Sequence, residues 1–257
     1  MITIQFHKYQ GTGNDFVMID NRDDAFDKTN LERIALLCDR RFGIGADGVI
    51  LIENTEGADF EMVYFNPDGS QSLCGNGSRC AVMFASYLGL IQNETTFKAI
   101  DGTHQAHIIE SQVHLLMHDV SEYEAIGNDF LIDTGSPHYI KYVGSTDALD
   151  PVVEGRKIRY ADRFAAEGIN VNFIEHVNDN ALKIRTYERG VEAETYSCGT
   201  GCTAAALSLA IKSGINEVSL KAIGGDLKVS FTKDENTFTN IYLIGPAAAV
   251  YSGEITL

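Results

Sequence analysis

Residues 2–8 and 16–20 alternate or cluster apolar side chains as strands do, with Gly11-Thr12-Gly13-Asn14 as the first dense turn signal between them. Thr29 and Glu32 form a capping-box pair, and Leu31, Ile34, Ala35 and Cys38 follow at helical spacing. The pattern predicts a helix that ends at Gly43 and places Cys38 in the core. Residues 49–53 and 60–65 read as paired strands, followed by the turn Asn66-Pro67-Asp68-Gly69. Apolar residues from Ala81 to Leu90 predict a buried helix, and strand-like runs return at 97–100, 106–109 and 113–117. The second half repeats this plan, and neither half alternates strand and helix regularly as a doubly wound sheet does.

The repetition has markers. Cys74 opens CGNGSRCAVMFASYLG and Cys198 opens CGTGCTAAALSLAIKSG, 124 residues later. GTGNDF begins 63 residues before the first cysteine and TGSPHY 64 before the second, while Gly43 and Gly168 precede them by 31 and 30. One recurring Gly-rich turn is what chance would supply in any mixed fold. Three landmarks in register point to an internal duplication of residues 1–117 in 118–257, joined near Asp119 to Asn128, with the chain's end free to cross back to the first half. The expected fold is α+β: two pseudo-symmetric halves, each a strongly curved, mostly antiparallel sheet wrapped around a central helix, with an active-site cleft between them where the helix starts meet.

Composition narrows the function. A chain of 257 residues with 44% hydrophobic content can bury a large core. Twenty Lys and Arg stand against 36 Asp and Glu, for a net charge of −16, and no basic run is present to neutralise phosphates, so nucleic acid is not an expected partner. MITIQFHKYQ lacks the pattern of a signal peptide, and the apolar stretches fall short of a bilayer span; a soluble, cytoplasmic chain without a membrane partner is expected. Five cysteines, at 38, 74, 80, 198 and 202, form no disulfide pattern and are expected to be reduced.

A helix start presents unpaired N–H groups and partial positive charge, and so favours an anion. Glycines at 75, 77, 199 and 201 let the backbone approach a ligand closely. The same field lowers the pKa of a thiol placed there, which makes Cys74 and Cys198 candidate acid/base groups. Proton abstraction α to a carboxylate needs preorganised donors on that carboxylate, and two facing helix starts would supply them. One thiolate removing the proton and the opposite thiol returning one inverts the centre without a cofactor, which is racemisation or epimerisation. Cys80 and Cys202 are expected to pack inward without a chemical role. A zinc site using Cys198 and Cys202 on one helical face lacks close CxxC pairs, and no metal is expected.

Recognition residues are sought among the polar positions around each cysteine. Glu188 and Arg189 can hold an ammonium and a carboxylate, or can be a surface ion pair. Asn14, Asn66 and Asn170 can contact a ligand or serve only their turns. His138 can orient a neighbour or be an ordinary loop histidine.

GTGNDF at 11–16, FNPDGS at 65–70, CGNGSRC at 74–80, INVNF at 169–173, ERG at 188–190 and SCGTG at 197–201 together resemble the diaminopimelate epimerase family over essentially the whole chain. The resemblance implies a cofactor-independent enzyme that interconverts LL- and meso-diaminopimelate for lysine and peptidoglycan precursors, and a homodimer. It implies Cys74 and Cys198 as the acid/base pair, substrate contacts from Asn14, Asn66, Asn170, Glu188 and Arg189, and backbone N–H groups of Gly75, Asn76, Gly199 and Thr200 on the reacting carboxylate. ERGVEAET carries one residue more than the family's ERGxGET and lacks its second Gly, which leaves the loop's path to Cys198 open; Ser136 stands where some members carry Asn and Gly48 where some carry Gln, so contacts from positions 136 and 48 are expected to be shortened or missing. Isomerases of the proline racemase type share the two-cysteine logic and are the alternative. A redox or metal-binding module and a catalytically silent binding protein are readings from other classes.

Overall fold

A computed structural model describes residues 2–257. In chain order the elements are β1 (Thr3–Gly11), β2 (Asn14–Asp20), α1 (Leu31–Cys38), β3 (Gly48–Glu53), β4 (Phe60–Phe65), α2 (Gly75–Tyr87), β5 (Glu94–Ala99), β6 (Gly102–Ile109) and β7 (Gln112–Leu116). They continue with β8 (Tyr123–Ile126), β9 (Asp129–Asp133), β10 (Pro137–Tyr142), α3 (Pro151–Arg159), β11 (Asn170–Asn178), β12 (Ala181–Glu188), β13 (Ala193–Thr195), α4 (Gly199–Ser213), β14 (Glu217–Ala222), β15 (Gly225–Asp234), β16 (Thr237–Pro246) and β17 (Ala248–Thr256). The chain divides into two units: residues up to Leu115 with Gly245–Leu257, and Leu116–Ile244.

In the first unit the strands pair in the order β17-β1-β2-β3-β4-β5-β6-β7, antiparallel except for the parallel steps β2–β3 and β4–β5. In the second unit the order is β8-β9-β10-β11-β12-β14-β15-β16, and the parallel steps β10–β11 and β12–β14 fall at the same two places. Strand β17, the last of the chain, therefore does for the first sheet what β8 does for the second. Residues Asp119 to Asn128, read from sequence as a join, hold β8 itself, because Tyr123 to Ile126 find a partner in β9.

Each unit encloses one helix. α2 packs against β1 to β4, and α4 against β9 to β12, β14 and β15. Ala81 and Ala85 in α2, and Ala204, Ala205, Ala206 and Ala210 in α4, are fully buried, and their small side chains let strands approach the helix on several sides. β3 reads GVILIE with every residue buried, because both of its faces are covered. Val49 and Leu51 join the core beneath α1 with Ile34 and Leu37. Ile50 lies on the other face, its Cδ1 close to Gly77 of α2. β11 alternates in the same manner, with Val171 and Phe173 in the apolar core beneath α3 and Asn170 and Asn172 on the opposite face.

The start of α1 differs from the capping box. Asn30 is the N-cap, its side chain accepting from the Arg33 N–H, while the Thr29 hydroxyl donates to Asp27 at 2.6 Å. Asn caps as well as Thr, and Thr29 is already engaged. The helix ends at Cys38 rather than Gly43, because Asp39 Oδ1 accepts from the N–H groups of Arg41 and Phe42 and draws the chain out of the helix. Cys38, Cys80 and Cys202 are buried, as expected.

Candidate active site

In the first unit Cys74 is the N-cap of α2, its extended backbone placing Sγ 3.4 Å from the Gly77 N–H. The thiol also donates to Asn14 Oδ1 at 3.5 Å. That carbonyl faces the cysteine for a definite reason. Asn14 Nδ2 donates to Asp47 Oδ2 at 2.6 Å, so the other end of the amide turns toward Cys74 and toward Asn76 Nδ2 at 3.4 Å. Asp47 is held in turn by Arg40 at 2.8 Å, and Arg40 also pairs with Asp15 at 2.7 Å. Asp15 takes a second ion pair from the buried Lys8, whose ammonium donates to the Gly45 carbonyl as well. Burial works to raise the Asp15 pKa, but hydrogen bonds from Arg40 and Lys8 outweigh it and hold the carboxyl at about 2.

Asn76 is fixed from its other end. The fully buried Arg79 donates to Asn76 Oδ1 at 2.9 Å and to Thr12 Oγ1 at 3.1 Å. Asn66 is engaged within its own turn, where Oδ1 accepts from the Tyr64 hydroxyl at 2.9 Å and Nδ2 donates to the Ser70 carbonyl and the Ser72 hydroxyl, each at 3.2 Å. Gly48 has no room for a side chain, since a Cβ there would lie 2.3 Å from the Tyr64 ring and 2.6 Å from the Phe65 carbonyl.

In the second unit Cys198 is the N-cap of α4, half-buried, with Sγ 3.4 Å from Thr200 Oγ1. Sequence reasoning assigns a helix start the power to lower a thiol's pKa. Here burial and then the Glu188 carboxylate push the Cys198 thiol up, outweighing the opposite pull of the Thr200 hydroxyl and the Gly201 N–H. His138 Nε2 lies 2.9 Å from Thr200 Oγ1, and His138 Nδ1 lies 3.0 Å from Asn172 Nδ2. Burial, followed by the nearby Arg189 charge, lowers the His138 pKa to about 3, so the imidazole is neutral at physiological pH.

Asn170 donates to Ser136 Oγ at 2.8 Å and to the Pro137 carbonyl, and accepts from the Arg189 N–H at 2.8 Å. The Arg189 guanidinium donates to the Glu167 carbonyl at 3.1 Å. The loop that carries the extra residue is pinned by Glu192, which accepts from the hydroxyls of Tyr187 at 2.7 Å and Tyr160 at 2.9 Å and pairs with Arg159. Sequence reasoning missed this anchor, and with it Asp47, Arg79 and Asn172. The INVNF alternation of polar and apolar residues was a usable signal for Asn172, because both faces of β11 are buried at that point.

Strand register makes the two clusters equivalent. Phe16 pairs with Gly48 as His138 pairs with Asn170, and Val49 pairs with Phe65 as Val171 pairs with Tyr187. One step beyond the last pair, Asn66 corresponds to Glu188. Cys74, Gly75, Asn76 and Gly77 correspond to Cys198, Gly199, Thr200 and Gly201, each set opening the enclosed helix. The first-turn N–H groups of Gly75 and Asn76, and of Gly199 and Thr200, are the kind of donor that receives a carboxylate.

A family profile described as diaminopimelate epimerase matches residues 6–119 and 130–250. The chain is 49% identical to a diaminopimelate epimerase of Flavobacterium psychrophilum, over 98% of this chain and all of the relative, and 35% identical to one of Aquifex aeolicus, over 98% of each. Among solved structures, a phenazine biosynthesis protein of the PhzF family from Bacillus anthracis aligns over 100% of both chains with TM-score 0.78 and 18% identity. A hydroxyproline epimerase from Agrobacterium vitis aligns over 99% of this chain and 93% of that one, with TM-score 0.70 and 16% identity; both structures share the fold. By sequence over nearly its whole length, the chain belongs to the diaminopimelate epimerase family.

Proposed function

We propose that this chain converts LL-diaminopimelate to meso-diaminopimelate without a cofactor, with Cys74 and Cys198 as the two acid/base groups. The observation that carries the reading is the duplicated placement of a thiol at the N-cap of an enclosed helix, once in each unit. One sulfur, as thiolate, takes the α-proton and becomes a thiol. The other, as thiol, delivers a proton to the opposite face and becomes a thiolate, so the centre inverts and proton and charge balance. The reaction requires the sulfurs to stand on opposite faces of one carbon.

The carbanion is stabilised through its carboxylate, which the N–H groups of Gly75, Asn76, Gly199 and Thr200 receive at the positive ends of α2 and α4. Asn14, Asn66, Asn170, Glu188 and Arg189 supply the mixed donors, acceptors and charges that suit a substrate with a second amino-acid head group. Asn66 and Arg189 exchange their present partners for substrate on binding. His138 acts as an orienting residue. We further propose a homodimeric, cytoplasmic enzyme. Light scattering of the purified protein tests the dimer.

The decisive experiment incubates the protein with LL-diaminopimelate, proline and hydroxyproline in deuterium oxide. Inversion and deuterium incorporation at one α-carbon of diaminopimelate are expected. Turnover of a proline substrate alone overturns the assignment.

A further inference from the structure

We infer that Asn172 is a positioning residue that selects the tautomer of His138, and through Thr200 supplies a hydrogen-bond donor to Cys198; the catalytic meaning of this relay rests on the reading of Cys198 as an acid/base group. The amide orientation is settled by a group that can only accept: Asn172 Nδ2 lies 3.3 Å from the Tyr139 carbonyl, while Oδ1 accepts from the Thr186 hydroxyl at 2.9 Å. The atom next to His138 Nδ1 is therefore an NH2, so Nδ1 presents its lone pair. A proton on Nδ1 would oppose two donors inside a fully buried site, which excludes that tautomer and the imidazolium alike.

The imidazole proton consequently sits on Nε2 and is donated to Thr200 Oγ1, 2.9 Å away. When Cys198 is a thiolate its sulfur can only accept, so the Thr200 hydroxyl, which takes Nε2–H on one lone pair, gives its own hydrogen to that sulfur, 3.4 Å away. The helix start is built around this chain: a Cβ on Gly201 would lie 2.4 Å from Asn172 Oδ1 and 3.3 Å from His138 Cε1, and the Thr200 carbonyl is tied to the Thr134 hydroxyl at 2.8 Å. A donor aimed at sulfur stabilises thiolate over thiol, against the burial and the Glu188 charge that favour the thiol.

The duplicated fold carries its own control. By strand register, the positions of His138 and Asn172 are filled in the first unit by Phe16 and Ile50, which can relay nothing. Cys74 meets the Asn14 carbonyl instead. The relay is therefore specific to Cys198 rather than a general consequence of the fold.

The test begins with the unmodified protein. Long-range proton–nitrogen NMR on nitrogen-15-labelled chain, with His138 assigned by its loss in His138→Gln, should show Nε2 protonated and Nδ1 bare at neutral pH. A proton on Nδ1 overturns the inference without any further variant. In Asn172→Asp the new carboxylate accepts from Nδ1–H, so the proton should move to Nδ1 and Nε2 should then take the Thr200 hydrogen. Alkylation of Cys198 by iodoacetamide, read in a Cys74→Ala background, should slow by about tenfold in Asn172→Asp and in Thr200→Val, the scale of one hydrogen bond to a charged atom, and should recover in Thr200→Ser. A shifted proton with unchanged alkylation would show that the relay stops short of Cys198. Neither readout needs turnover, so both hold if the substrate assignment fails; where diaminopimelate is the substrate, kcat should fall with the alkylation rate while KM stays within about twofold.

Discussion

Asp47 Oδ2 accepts from Asn14 Nδ2 at 2.6 Å, and this one contact determines that the Asn14 carbonyl rather than its NH2 meets the thiol of Cys74. The carboxylate is itself held by Arg40, within a charge network that reaches the buried Lys8.

Asp47→Ala leaves the Asn14 amide free to turn. Epimerase kcat should fall on the order of tenfold, the value of one charge-assisted hydrogen bond, with the fold retained because Asp47 is partly exposed. Asp47→Asn keeps an acceptor oxygen and should recover most of the loss. Wild-type kinetics in Asp47→Ala would show that the orientation of Asn14 is not needed.

Cys74→Ala and Cys198→Ala should each lower kcat by about 10³-fold or more, the scale of a lost acid/base group, while melting temperature and circular dichroism barely change. Both residues are half-buried and the thiol-to-methyl change removes one atom, so little packing goes with either. Full activity in either variant ends the two-base reading.

Gly77 and Gly201 occupy equivalent turns, yet alanine should act differently at each. At Gly201 the added methyl meets the buried Asn172 amide at 2.4 Å, and this amide is hydrogen-bonded and has nowhere to go. A destabilisation of about 1–3 kcal/mol is expected, together with loss of activity. At Gly77 the tightest contact is the flexible Ile50 Cδ1 at 3.0 Å, which can shift, while Cys74 Cβ and Met62 Cε stand at 3.4 Å, an ordinary contact distance, and the helix gains from alanine. Thermal unfolding of the two variants checks the order.

Glu192 pins the loop between Tyr187 and Ala193. Burial works to raise its pKa, but hydrogen bonds from Tyr187, Tyr160 and the Gly190 N–H, with the Arg159 charge, hold it at about 2 against an ordinary 4.5. A depressed carboxyl stabilises the fold above its unfolded pKa and ceases to do so as pH falls toward 2. Glu192→Gln should therefore melt about 2–4 °C lower at pH 7, and the gap should close as pH is lowered from 4.5 toward 2. A gap independent of pH would assign the effect to shape rather than charge.

Removal of metal offers a simple check on the cofactor-free reading. Dialysis against a chelator should leave epimerisation intact, and a stoichiometric metal required for activity would reject it.

Local signals carried far. Gly-rich turns ahead of apolar helices marked Cys74 and Cys198, periodic apolar residues marked most strands, and recurring landmarks marked the duplication, because each of these is written in residues close together in the chain. The capping box failed at Thr29 since two adjacent residues could both cap, and the choice depended on a bond from Thr29 to Asp27. Residues Asp119 to Asn128 looked like a join because a short strand such as β8 has no pattern strong enough to stand out without its partner.

The chain by itself determined that two cysteines would stand at the N-caps of two helices in a repeated α+β fold, since helix starts and burial patterns depend on neighbours a few residues away. Which way each amide points, which nitrogen of His138 holds the proton, and why Gly48 tolerates no side chain were decided only by tertiary structure. Asn14 meets Asp47 across 33 residues and Asn172 meets His138 across 34, so donor faces acceptor only after the strands have paired in register.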